Sequence, residues 1–143
     1  MWRSSDISEI EKVTAKGGNW IILIKSATNV LKGDNFVFVY PEIMQNKIIV
    51  RRGEVITSDI LENKDLEFEN INSKINNLLK KTRDKIKLKG SIVNEITTRG
   101  DFIKKIRDEL KINQNNKYRL EVVSLKDSKT ADPIIVELNI IKL

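Results

Sequence analysis

Two residue types that carry much of protein chemistry are missing, because the chain contains neither cysteine nor histidine. Without cysteine there is no disulfide, no thiolate nucleophile and no thiolate zinc site. Without histidine the commonest general base, the Ser-His-Asp triad and most transition-metal sites are lost as well. Glycine is scarce at 6 residues, and these never form Gly-x-Gly-x-x-Gly or Gly-x-x-x-x-Gly-Lys-Ser/Thr, so a nucleotide cofactor finds no phosphate loop. Aromatic residues make up only 6%, too few for a row of stacking platforms along a single strand. No apolar run approaches the roughly eighteen residues needed to cross a bilayer. The opening residues Met1 to Asp6 lack the apolar centre of a signal peptide. Together these absences lead us to expect a soluble cytoplasmic protein that is not an enzyme, with no catalytic residue, no metal, no cofactor and no membrane partner.

What is present is charge, unevenly distributed. The net charge is +6, from 26 basic and 20 acidic residues. Residues 74–111 hold 12 of the bases and 5 of the acids, a local net charge of +7, so the remainder of the chain is slightly acidic. Just before this stretch, Glu54, Asp59, Glu62, Asp65, Glu67 and Glu69 face a single base, Lys64. Codon usage rich in A and T offers one explanation for the lysine content, since Ile, Lys and Asn supply 22, 19 and 14 residues. Such a bias raises the number of lysines without gathering them in one place, and the clustering is what favours an acidic partner. The triplet Glu62-Asn63-Lys64 has the Glu-x-Lys spacing of metal-dependent nucleases. In a chain that is 32% charged, this spacing arises readily by chance.

With 143 residues and 40% hydrophobic content, a single domain over 1–143 is expected, with a subdivision into 1–53 and 54–143 as the place to divide it. Ile7, Ile10 and Val13 predict a short helix over 5–13 behind Ser4, Ser5 and Asp6. After Gly17-Gly18, the runs 20–24, 36–40 (stopped by Pro41) and 47–51 predict a three-stranded meander. Trp20, Phe36, Phe38 and Phe102 are expected in core positions, with Tyr40 and Tyr118 the candidates for exposure. Val55-Ile56 and Leu66 to Phe68 suggest two short strands, with Thr57-Ser58-Asp59 capping a helical turn between them.

The line from Lys12 through Gly17, Gly18 and Trp20-Ile21-Ile22-Leu23-Ile24-Lys25 continues with Leu31-Lys32-Gly33-Asp34-Asn35-Phe36-Val37-Phe38-Val39 and Lys47-Ile48-Ile49-Val50. Over residues 12–51 it resembles the AbrB-type swapped-hairpin domain of prokaryotic transcription factors and antitoxins. The family's Ile-Pro before its short helix is absent, Ile24 being followed by Lys25, and the Ser26 to Leu31 connection is shorter. The resemblance implies a dimer sharing one sheet, with DNA contacts from Lys12, Lys16 and Lys25.

Ile71, Ile75, Leu78, Leu79, Thr82 and Ile86 form one apolar stripe of a long helix, capped at Asn70 or Asn72 and ending before Gly90, although alternation over 85–89 also allows a strand there. Lys74, Lys81 and Lys85 line up beside that stripe, while Lys80, Arg83 and Lys87 fall on the far side. Residues 97–100 read as a loop, and Asp101 caps a second helix with Phe102, Ile103, Ile106 and Leu110 inward. Tyr118 to Val122 and 134–143 form a C-terminal hairpin whose last strand is apolar enough to be central in a sheet or paired with another chain.

The expected fold class is therefore α+β: an antiparallel sheet from the N-terminal meander and the C-terminal hairpin, covered by two basic amphipathic helices. The expected function is non-enzymatic binding of nucleic acid, DNA in preference to RNA, by a homodimer. Lys74, Lys81, Lys85, Lys87, Lys89, Arg99, Lys104, Lys105 and Arg107 are the expected phosphate contacts. The alternative is a protein–protein adaptor, or a small subunit of a larger complex, binding a protein partner through the acidic patch 54–69 or the C-terminal strand.

Overall fold

The computed structural model describes residues 4–26, 38–62, 68–93, 95–110 and 117–143, and these divide into two compact units, residues 1–47 and residues 48–143. The fold is α+β, and no described helix is long and apolar enough to cross a membrane.

The first unit starts with helix α1 (Ser4–Thr14), in which the Thr14 hydroxyl donates to the Ile10 carbonyl at 2.7 Å. Gly17 and Gly18 then adopt φ of 79° and 98°, values that side chains disfavour, and so turn the chain out of the helix. The Trp20 indole donates to the Gly17 carbonyl at 2.8 Å and fixes that turn. Strands β1 (Trp20–Ser26) and β2 (Val39–Gln45) form an antiparallel ribbon in register from Trp20↔Gln45 to Ser26↔Val39.

The expected strand 36–40 is only partly visible here, since Phe36 and Val37 lie outside the described residues. Its continuation runs through Pro41 rather than stopping there. The Asn46 amide bonds the Asn19 carbonyl, so by alternation Pro41 and Ile24 form a non-hydrogen-bonded pair of the ladder and the missing N–H of Pro41 breaks no bond to β1. Phe38 is 59% exposed rather than in a core, and Tyr40 is 39% exposed. Among residues 7–26 and 38–47 no side chain is buried.

The third strand of the expected meander belongs to the second unit. Strand β3 (Ile48–Val50) pairs with β7 (Ser128–Lys129), not with the ribbon. Val50 is fully buried in the larger core, and removing that apolar side chain from water favours this partner over a ribbon with no buried side chain among residues 7–26 and 38–47. Strand β4 (Val55–Leu61) runs straight through the expected cap of a helical turn at 57–59. Its β-branched Val55, Ile56, Thr57 and Ile60, and its ladder to β6, outweigh the local capping signal of Thr57-Ser58-Asp59.

Helix α2 (Phe68–Leu88) starts earlier than its apolar stripe, so Asn70 and Asn72 sit inside it and do not cap it; the predicted strand residue Leu66 lies outside the described residues. The competing strand over 85–89 does not form. The Gly90 amide bonds to the Lys87 carbonyl and the Ser91 amide to that of Ile86, and Gly90 at φ 109° closes the helix as a Schellman motif. Strand β5 (Ile96–Thr98) takes the first half of the expected loop at 97–100, and α3 (Phe102–Leu110) follows. Asp101 is the expected cap: its Oδ1 accepts the amides of Ile103 at 3.0 Å and Lys104 at 3.2 Å.

Strands β6 (Tyr118–Ser124) and β8 (Ile134–Lys142) form the C-terminal hairpin, with β7 in the excursion between them. The sheet order is β4-β6-β8-β5, with β5 parallel to β8 and the other pairs antiparallel. The final strand is thus central for its first third, where β5 pairs with Ile134, Ile135 and Val136. Both helices contribute to a single core. Ile71, Ile75, Leu78 and Ile86 of α2 and Phe102 and Ile106 of α3 pack on Ile56, Leu61, Leu120, Val122, Val136 and Leu138. Tyr118, a candidate for exposure, is buried in that core.

Candidate nucleic-acid interface

Helix α2 lies against β4, and α3 lies against both α2 and β8, so the two basic helices form one layer over the sheet. The α2 residues Ile71, Ile75, Leu78, Thr82 and Ile86 are buried beneath it, which turns the intervening charged positions outward. Thr82, fully buried in that stripe, bonds the Thr57 hydroxyl at 2.5 Å and the Leu78 carbonyl at 2.8 Å. These bonds fix which flank of the helix faces β4.

That flank carries Lys74, Lys81 and Lys85. Lys74 is half-buried; Lys81 and Lys85 are exposed. A groove of about 610 Å³ runs here along α2, lined by Asp59 of β4 and by Asn70, Ser73, Lys74, Asn77, Lys80, Lys81 and Asp84. Lys87 lies on the other flank, where it and Arg83 border a smaller hollow of about 230 Å³ with Ile86, Val93 and Ile96. Arg99 is exposed just past β5, and Lys104 and Arg107 are exposed on α3.

Lys89 and Lys105 are expected contacts with partners inside the fold. The Lys89 ammonium bonds Glu54 Oε2 at 2.7 Å, and it is mainly this hydrogen bond that holds the Glu54 carboxyl below its ordinary value, against the opposing effect of burial. The Lys105 ammonium donates to the Leu138 carbonyl on β8. A third base, Lys117, lies 3.7 Å from Glu62; Lys64, the other end of the Glu-x-Lys triplet, is outside the described residues. In the first unit Lys12 and Lys16 are exposed, while Lys25 is paired with Glu42, which raises its ammonium pKa.

The acidic and basic blocks of the sequence therefore fold against each other in part. Glu54, just before β4, pairs with Lys89, just past α2, and Asp59 of β4 lies beside the α2 lysines, while Lys80, Lys81, Arg83, Lys85, Lys87, Lys104 and Arg107 are exposed on the helical layer. The groove lining Asn70, Ser73, Asn77, Lys80 and Asp84 was not anticipated from the sequence. Its alternating spacing of three and four, which marks one helix face, was the available signal. No protein-family model, no curated protein and no solved structure matches this chain.

Proposed function

We propose that this cytoplasmic protein binds nucleic acid without catalysing a reaction, through phosphate contacts from the exposed bases of its helical layer. The observation that carries the reading is that α2 and α3 cover the same face of one sheet, which places Lys81, Lys85, Lys87, Lys104 and Arg107 on one layer. Lys74 and Arg99 extend that set, whereas Lys89 and Lys105 contribute less because their ammonium groups are engaged within the fold. Duplex DNA is the first ligand to test, since the hairpin resemblance implies DNA. A homodimer fits the first unit, whose residues 7–26 and 38–47 have no buried side chain of their own.

The test is fluorescence anisotropy with labelled duplex at several salt concentrations. Each phosphate contact contributes about −0.9 to the slope of log affinity against log salt through counterion release. Lys81→Glu with Lys85→Glu is expected to flatten that slope by about two units, while the same change at Lys126 and Lys129 does much less. Absence of DNA and RNA binding at near-physiological salt removes the reading.

A further inference from the structure

The groove beside α2 reaches β4 at Asp59, and the outer edge of that strand is a feature that phosphate chemistry does not use. The direction of each β4 peptide group follows from the ladder. The Gly53 amide bonds the Ser124 carbonyl at 2.8 Å, and the Ser124 amide bonds the Glu54 carbonyl at 3.0 Å. Ser124, Val122 and Leu120 therefore turn their peptide groups toward β4, and Thr57 and Asp59 are their ladder partners. Alternation then directs the peptide groups of Ser58 and Ile60 away from β6, to the outside of the sheet. The Ile60 amide agrees with this assignment, since it is bonded by the Asp59 carboxylate at 2.8 Å and not by a strand. Ser58 is exposed, and among the described residues no strand pairs with β4 on this side.

We propose that the groove between β4 and α2 receives an extended acidic peptide of a partner protein, which adds to the free edge of β4 as a further strand. Three observations specify this occupant. A strand offers carbonyls and amides at the period of the Ser58 and Ile60 groups, which a sugar-phosphate backbone does not. The α2 wall spans Asn70 to Asp84, about 21 Å at 1.5 Å per residue, room for roughly six residues of extended chain. Lys80 and Lys81 are exposed cations of the lining, within reach of carboxylates on the incoming strand, while Asn77 and Ser73 offer hydrogen bonds to its polar groups. Asp59 blunts the edge in the meantime by occupying the Ile60 amide, as charged side chains do on strands that must not pair indiscriminately. An arriving carbonyl takes that amide over and frees the carboxylate.

The experiment is an NMR titration of the whole isotope-labelled chain with an end-blocked peptide of alternating glutamate and valine. Two controls accompany it: the same peptide with alternate amides N-methylated, and an oligothymidine. The expected result is a shift of the Ser58 amide resonance with at least about tenfold slower hydrogen exchange, and about tenfold weaker binding of the methylated peptide, which cannot complete the ladder. Lys80→Glu with Lys81→Glu, both exposed, weakens the unmodified peptide by a similar factor. The proposal is overturned if millimolar peptide leaves Ser58 unmoved, if methylation makes no difference, or if the oligothymidine moves the Ser58 amide and the peptide does not.

Discussion

Thr57 and Thr82 are the residues through which the basic helix is locked to the acidic strand. Their hydroxyls are 2.5 Å apart, and Thr82, fully buried, is also bonded to the Leu78 carbonyl. Replacing one partner leaves the other short of a bond in a region with little water, whereas replacing both removes the demand altogether. Thr82→Val is therefore expected to lower stability by about 1–2 kcal/mol, and the Thr57→Val, Thr82→Val double variant by less than the sum of the singles, measured by urea unfolding. The Glu54–Lys89 bridge makes a second prediction at this scale. The Glu54 carboxyl is held below its ordinary value of 4.5, so the stabilisation is complete above that pH and is lost as pH falls through the lower folded value. With side chains 30% and 32% exposed the effect is modest, about 0.5 kcal/mol after allowing for screening. The stability difference between the wild-type protein and Glu54→Gln should hold above pH 4.5 and shrink as the pH falls below it.

Among the elements, the amphipathic stripes of the helices match their sequence signals, whereas the partner of a strand such as β3 is not written in its own residues. The stripe Ile71, Ile75, Leu78, Thr82, Ile86 and the Asp101 cap are local, and the structure has both where the sequence places them. Asp101→Ala should cost about 1 kcal/mol, read as a lower urea midpoint with unchanged slope, because two amides lose their acceptor at the start of a nine-residue helix. The strands behave differently. Ile48-Ile49-Val50 reads as a strand in isolation, but nothing in those residues names Ser128 and Lys129, some eighty positions away, as the partner. The same holds for the site. The lysine line 74, 81, 85 is legible as a helical period, whereas its neighbour Asp59 and the bond that occupies Lys89 depend on how β4 docks against α2. Charge clustering in sequence therefore overstated the free positive surface.

At the scale of the whole molecule, the contrast between the two units leads to a prediction about assembly. The unit at 48–143 has a shared core of buried side chains from four strands and two helices. The ribbon of the first unit has apolar side chains on both faces and, among the described residues, two strands, an arrangement marginal on its own in water. On the face formed by Trp20, Ile22, Ile24, Val39, Pro41 and Ile43, Ile22 and Ile24 are 39% and 53% exposed, and no charged side chain is present. An interface related by a two-fold axis sets a surface against its own copy, where any charge risks meeting its like, so an uncharged face escapes that cost. Light scattering at micromolar concentration should therefore give twice the chain mass, and the melting temperature of the ribbon should rise with protein concentration. Ile24→Glu places two like charges across such an interface and should dissociate the dimer while the near-ultraviolet signal of Tyr118, buried in the other unit, persists. A monomer at these concentrations would remove the shared-sheet arrangement that the swapped-hairpin resemblance implies. A monomer that Ile24→Glu also destabilises would locate the cover for this face within the same chain.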